Sequence, residues 1–409
     1  MRWLAKNLSL SSKLAIKEFL AIFKGRASPN DATLSADRPQ PIPKSEQRCI
    51  IVFDERIPSP DRDAGSLRML MILRTLAASS HVIFIPFNRP HGIEYEEALW
   101  KIGVETADVV DYRRLLKDSN PETVILSRPR VAEALLNRVR RLAPQAKIIF
   151  DPVDTHFQRL EREYRISGNQ KTLRASERYR KLESRLARES DLVWCASTED
   201  KHLMQAVSPG TRIDVVPTIH ELHDRVCVFE QRSDLLFVGN MAHTPNADAV
   251  HYFMREIYPR IHEAMPDVKV KIIGDDPDGE IRGYDSAQVS VLGYVPVIEK
   301  FLERSRVFVA PLRFGAGIKG KIGEAMSYGL PVVTTSVGAE GFGLTHGVDA
   351  MIADDPQAFA NEVAQLHNSK ELWERVAQNG WTRIQNNFTP DVVARTINSS
   401  LRQLVGFGS

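Results

Sequence analysis

An α/β chain of two parallel-sheet, Rossmann-like domains is what this sequence predicts, and three observations predict it. Short, nearly continuous apolar runs recur along both halves: CIIVFD, HVIFIPF, ETVILS and AKIIFD in the first, DLLFVGN, VKVKIIGDD, RVFVAPL and LPVVTT in the second. Helix-forming stretches separate them, which is the pattern of βαβ units whose sheet is covered on both faces. The length of 409 residues exceeds one domain of about 100–200 residues. The polar segment 219–232 divides the two series. The expected organisation is a helix and linker over 1–47, a first domain over 48–218, a connection over 219–232, a second domain over 233–388 and a C-terminal helix over 389–409.

Composition narrows the function classes. The apolar content of 43% and charged content of 26% are those of an ordinary globular protein. The 54 basic and 52 acidic residues leave a net charge of +2, which gives no electrostatic footprint for nucleic acid. Three cysteines, Cys49, Cys195 and Cys227, lie far apart without metal-ligand spacing and suit a reducing compartment. No apolar run approaches the roughly 20 residues that span a bilayer.

Residues 1–26 are basic and apolar together: Ser11 or Ser12 is positioned to cap a helix carrying Leu14, Phe19, Leu20 and Phe23 beside Lys13, Lys17 and Lys24. The expectation is an interfacial helix on an anionic membrane surface, against a helix packed on its own protein. Residues 27–47 are polar and Pro-rich and read as a linker. In the first domain, CIIVFD leads through ERIPSPDRDAG into a helix over Ser66–Ala78. A helix around Val131–Leu142 separates ETVILS from AKIIFD, one charged helical stretch runs over Gln158–Glu189, and DLVWCAS and RIDVVPT close the alternation.

Ligands on such sheets bind beyond the carboxyl ends of the strands, and that rule picks out two loops here. One is DRDAGS, with Asp63, Gly65 and Ser66 at a helix start. The other is DPVDTHF, where His156 beside Asp154 is a candidate general base or sugar-hydroxyl ligand, weighed against a histidine bonded to a carbonyl. In the connection, His220, Glu221, His223 and Asp224 suggest a metal cluster but read better as a solvated linker.

In the second domain a strand ends at Gly239 and a helix runs from Pro245 to about Glu263. VKVKIIGDD, VSVLGYV and a short helix over Val297–Leu302 follow, then RVFVAPL. Beyond it come Gly315, Gly317, Lys319, Gly320 and Lys321, a helix over Ile322–Tyr328 with Glu324 in its first turn, and Gly329. LPVVTT, DAMIADD, a helix over Pro356–His367 and two further helices complete the chain. Glycines let backbone N–H groups approach an anion at a helix start, and two lysines add full charges. Glu324 is suited to two vicinal hydroxyls.

The segment APLRFGAGIKGKIGEAMSYGLPVVTTSVGAEGF resembles the donor-binding segment of GT-B glycosyltransferases of the retaining family 4 type, glycosyl transferases group 1. The resemblance covers roughly Leu235 to Phe388 and is weaker before it. It implies a GT-B fold: two Rossmann-like domains facing across a cleft, with the last helix crossing back to the first domain. It also implies a metal-independent, retaining transfer of a sugar from a nucleotide-sugar donor to a glycan or lipid-linked acceptor, without cofactor, in polysaccharide or glycoconjugate biosynthesis. The implied location is cytoplasmic, peripheral to the inner membrane face where 1–26 would dock.

By the same resemblance Lys319, Lys321 and His156 are the catalytic positions. Gly239, Asn240, Gly315, Gly317, Glu324, Val295 and Glu340 are donor-binding, and Asp63, Gly65 and Ser66 form the acceptor-side loop, with no metal site. Asp61 and Asp63 resemble the metal-binding pair of the GT-A fold, a reading that their place after a first strand disfavours. The sequence departs from the family where Ala316 replaces a sugar-contacting Glu, and where Asn240 and Asn246 replace an Arg and a Lys. Lys319 and Lys321 are the expected replacements for those charges. Two other classes stay open, a sugar-nucleotide epimerase of GT-B fold and a non-catalytic nucleotide-sugar-binding module.

Overall fold

The described strands divide into two wholly parallel sheets, one in each half of the chain. The computed structural model describes residues 48–60, 63–89, 93–224, 228–276 and 279–406. The expected helix and linker over 1–47, Asp61 and Cys227 lie outside the described residues.

The first sheet is built of β1 (Cys49–Arg56), β2 (His81–Asn88), β3 (Val104–Thr106), β4 (Thr123–Ser127), β5 (Lys147–Asp151), β6 (Leu192–Cys195) and β7 (Ile213–Val215). Its order is β3-β2-β1-β4-β5-β6-β7. The second contains β8 (Ser233–Val238), β9 (Val270–Ile273), β10 (Val289–Gly293), β11 (Ser305–Ala310), β12 (Val332–Thr334) and β13 (Met351–Ile352). Its order is β10-β9-β8-β11-β12-β13. The order reverses between β1 and β4 in the first sheet and between β8 and β11 in the second. A crevice opens beyond the strand ends at such a switch point.

Each sheet is apolar on both faces. Ile51, Phe53, Val124 and Phe150 face one side of the first sheet, and Val52, Ile125, Ile149 and Trp194 the other. The second side also receives Val393 and Ile397 from the helix Pro390–Val405. That helix is pinned there by polar contacts: Trp194 Nε1 donates to Ser400 Oγ at 2.9 Å, and Ser400 Oγ donates to Asp214 at 2.6 Å. The end of the chain is thus a structural part of the first half.

Local structure departs from the sequence expectation at several places. The stretch over Gln158–Glu189 is two helices, His156–Ser167 and Gln170–Glu189. Gly168 ends the first at φ +65°, which a glycine adopts without Cβ strain, and Asn169 caps the second by accepting from Lys171 N at 2.9 Å. The helix expected from Pro245 to Glu263 is interrupted by a π turn at Phe253–Ile257, just ahead of Pro259, which has no N–H to continue the ladder. The helix after the glycine-spaced loop spans Gly320–Ser327, so Glu324 lies in its second turn. DAMIADD contributes two strand residues, Met351 and Ile352, and β3 has no expected counterpart.

Candidate functional site

A cavity of about 450 Å³ lies between the two halves, at both switch points. From the first half it is lined by residues after β1, β4 and β5, namely Asp63, Gly65, Arg128, Val153, Asp154 and His156. From the second it is lined by residues after β8 and β11, including Gly239, Asn240, Gly315, Gly317, Lys319 and Lys321. A smaller cavity of about 180 Å³ adjoins it on the second half, lined by Gly239, Asn240, Val295, Lys321 and Glu324. Gly239, Asn240 and Lys321 belong to both cavities.

The glycine-spaced loop leaves β11 and turns into the helix Gly320–Ser327. Gly315 has φ +149° and Gly317 has φ +66°, so both need glycine. A Cβ on Gly317 would stand 3.1 Å from Asp154 Cβ, so the loop touches the opposite wall. Lys319 Nζ donates to Gly317 O at 2.8 Å and lies 3.4 Å from Glu340 Oε2. Burial lowers the Lys319 pKa, and the nearby Glu340 opposes that shift. Lys321 Nζ reaches Glu324 Oε2 at 2.6 Å, so these two groups hold each other at the mouth of the smaller cavity.

Glycine elsewhere in the second half answers to close approach. A Cβ on Gly239 would stand 2.9 Å from the Asn246 amide carbon, and one on Gly323 would stand 2.3 Å from His220 Nε2. His220 also meets Thr218 Oγ1 at 3.1 Å, and burial, with Lys321 nearby, pushes its pKa down to about 3. His223 stacks on Tyr328 with ring centroids 3.8 Å apart. These histidines lock the connection against the helix Gly320–Ser327. Among the described residues no group of three or more His, Cys, Asp or Glu is placed to hold a metal ion. Asn240 Oδ1 accepts from Ala242 N at 2.9 Å, and Asn246 Nδ2 donates to Asn240 O at 2.9 Å, so both asparagines shape a turn.

On the first half His156 opens its helix. Its Nδ1 lies 2.7 Å from Asp154 Oδ1 and 3.4 Å from Glu183 Oε1, and its ring stacks on Tyr179 at 5.1 Å. Burial disfavours the imidazolium, but Asp154 and then Glu183 outweigh it and lift the pKa to about 10. Asp154 is held far below the ordinary carboxylate range: burial would raise it, but His156 and Arg159 prevail. The upward direction at His156 favours the imidazolium over the neutral ring that a general base requires. An imidazolium has no lone pair to take a proton, and its remaining nitrogen, Nε2, can donate. Glu183, fully buried in the neighbouring helix, accepts from His156 N at 3.0 Å and Phe157 N at 3.1 Å and caps the helix start from outside.

Of the first-half loop residues, Asp63 is the N-cap of the helix Ala64–Ala77. Its carboxylate accepts from Ser66 N and Ser66 Oγ, each at 2.8 Å, and from Arg56 Nη2 at 3.1 Å. Gly65 lines the cavity, whereas Ser66 is buried beneath it. Glu340 is not in the cavity wall. Arg162 grips it in a fork at 2.7 and 2.6 Å and also donates to Gly315 O at 2.9 Å. This ion pair joins the two halves. Burial would raise the Glu340 pKa, but Arg162 and Lys319 bring it below the ordinary value.

Sequence reasoning missed Arg128, Arg159, Arg162 and Glu183. A signal existed for two of them: His156, Arg159 and Arg162 recur every three residues, which places them along one side of a helix that starts at the cleft.

With this geometry in place, the comparisons become specific. Residues 232–369 match the family described as Glycosyl transferases group 1. The matched residues contain the glycine-spaced loop, Glu324 and Glu340. A Klebsiella pneumoniae protein called "Uncharacterized 44.6 kDa protein in cps region" is 27% identical over 173 residues, 40% of this chain and 45% of that one. YtcC of Bacillus subtilis, a protein named as a glycosyltransferase, is 23% identical over 187 residues, 42% of this chain and 45% of that one. The chain thus spans under half the length of these curated relatives. Among solved structures, HepE of Anabaena in complex with UDP and glucose superposes with a TM-score of 0.66 at 14% identity, over 87% of this chain and 99% of that one. The fold is GT-B.

Proposed function

We propose that the protein is a glycosyltransferase that moves a sugar from a nucleotide-sugar donor on the second half to a glycan or lipid-linked acceptor on the first. The observation that carries this reading is the glycine-spaced loop. Its backbone, Lys319 and Lys321 sit at a helix start, at the switch point of the matched domain, facing the His156 wall across the 450 Å³ cavity. UDP is bound in the HepE structure, which supports a nucleotide diphosphate here.

The chemistry follows from the residues. Loss of a nucleoside diphosphate places negative charge on the leaving oxygen, and positive groups fixed in advance stabilise it. Lys319, Lys321 and the loop N–H groups supply that charge from one side. The imidazolium of His156 supplies a donor from the other. Glu324 beside Val295 is placed for ribose hydroxyls, with Lys321 released towards the phosphates when the donor arrives. In this reading no metal or cofactor takes part, and the anomeric configuration is retained. The role belongs to polysaccharide or glycoconjugate assembly at the cytoplasmic face of a membrane.

The test is binding and slow hydrolysis of UDP-, GDP-, dTDP- and ADP-sugars by wild type and by Lys319→Ala/Lys321→Ala. One nucleotide sugar is expected to bind, with hydrolysis lost in the double variant. If the double variant binds the donor as well as wild type does, the loop is not the phosphate site and the reading fails. Epimerisation of the donor without acceptor would replace transfer with the epimerase reading.

A further inference from the structure

One corner of the cavity is left over after the donor site is assigned. It lies on the first half, where Gly65, Arg68 and Arg128 meet. Val153 separates this corner from the glycine-spaced loop. Its carbonyl oxygen is 3.5 Å from where a Cβ on Gly317 would stand, and its Cγ1 is 3.2 Å from where a Cβ on Gly65 would stand. Arg128 Nη2 lies 3.5 Å from that same point on Gly65.

The guanidinium groups here carry more donors than the protein uses. Arg68 is 2% exposed. It spends Nη1 on both oxygens of Asp151 at 3.0 and 2.8 Å and Nε on Val216 O at 3.0 Å. Its Nη2 is buried without a hydrogen-bond partner among the described residues. A buried orphan donor on a full charge is costly, so a native structure keeps one for a reason. Arg128 is bonded through Nε to Asp54 Oδ1 at 2.7 Å, which leaves both Nη groups for the cavity. Its backbone sits at φ +74° just beyond β4, a strained position for a non-glycine residue that aims the side chain. A third acid, Asp63, also acts on Arg128 and is shared with Arg56 at 3.1 Å.

We infer that this corner seats an anionic group, a carboxylate or a phosphate, on the acceptor held by the first half. The inference rests on the glycosyltransferase reading for the word acceptor, and on geometry alone for the anion. Planar Nη groups from two arginines match the two or three oxygens of such a group, whereas a neutral hydroxyl offers a single acceptor atom.

Calorimetry on the full chain separates the possibilities. The probes are D-glucuronate, D-glucose 1-phosphate and neutral D-glucose, with UDP, GDP, dTDP and ADP titrated onto the same samples. Because Arg128→Gln alone would strand the buried Asp54, the variants are Arg128→Lys and the neutral pair Arg128→Gln/Asp54→Asn, with Lys319→Ala/Lys321→Ala as comparator. At least one anionic probe is expected to bind saturably while glucose does not. Both Arg128 variants should weaken it about tenfold or more, the usual weight of a hydrogen bond to a charged group. The lysine variant should leave it within about twofold, since the sites share no partners. Which probe binds names the source, a sugar carboxylate or a phosphate. Glucose binding as well as the anions, or no anion binding, overturns the inference. So does anion binding lost with the lysines and kept in the Arg128 variants. The nucleotide arm reads the donor site by itself: no nucleotide binding alongside an intact anion pattern would sink the glycosyltransferase reading and leave the corner standing.

Discussion

The two walls of the cleft reach a similar positive character by different means. The cationic part of the second-half wall is a continuous piece of chain, Gly315 to Glu324, whose charge comes from backbone N–H groups and two lysines. The first-half wall is assembled from β1, β4, β5 and two helices, and its cations are balanced by acids: Arg68 with Asp151, Arg128 with Asp54, and Arg159 and His156 with Asp154. One wall is adaptable at Lys321, whose i,i+3 pair with Glu324 opens readily. The other is rigid, because breaking a buried pair strands a charge. The proposed transfer, with diphosphate release on one side and acceptor placement on the other, would use that division.

The largest expected effect tests the adaptable wall. Lys319→Ala/Lys321→Ala should lower donor hydrolysis by about 100- to 1,000-fold, the weight of a lost oxyanion donor, while the urea midpoint moves little. If activity survives within about tenfold, backbone amides suffice and the walls differ less than claimed.

Next in size is a steric probe of the locked connection. Gly323→Ala places a Cβ against buried His220 and should cost about 1–3 kcal/mol as overpacking, read from the denaturation midpoint. No change would mean that His220 yields.

The bridge between the walls should matter less. Arg162→Ala removes the fork to Glu340 and the bond to Gly315 O. A partly exposed pair of this kind carries about 1 kcal/mol, so roughly a fivefold rise in KM for the donor is expected, with kcat nearly unchanged. Arg162→Lys should not restore it, because an ammonium cannot make the fork.

The remaining tests are pH slopes, and they have opposite signs. His156 is raised from its ordinary 6.5 to about 10. Its stabilisation is full below pH 6.5 and is lost as pH rises through about 10. His220 is lowered from 6.5 to about 3, so it weakens the fold as pH falls from 6.5 towards 3, where the unfolded chain binds the extra proton. His156→Gln should flatten the alkaline limb of stability against pH, and His220→Gln the acid limb.

Legibility followed the same division between the walls. Glu324 and the glycine-spaced loop could be picked out by spacing within one segment, Val295 came from the family resemblance, and the structure gathers them around the two adjoining cavities. Asp63 and Ser66 were noticed at a helix start, yet the structure spends them on each other as a cap. His156 was found by its place after β5, but its protonation was not legible, because burial opposes the imidazolium and Glu183, which favours it after Asp154, lies 27 positions away.

By itself the sequence determined the alternation of apolar runs and helices, hence two parallel sheets, and the local grammar of the loop that opens on Gly320. Period, glycine placement and capping act within a few residues, so a linear reading captures them. Only the tertiary structure decided which cations face which acids, such as Arg162 on Glu340 across 178 positions, and where a donor is left without a partner, as at Arg68 Nη2. Those outcomes depend on burial and on groups brought from distant strands. Desolvation and Coulomb energies are properties of the assembled site and have no counterpart in the spacing of residues along the chain.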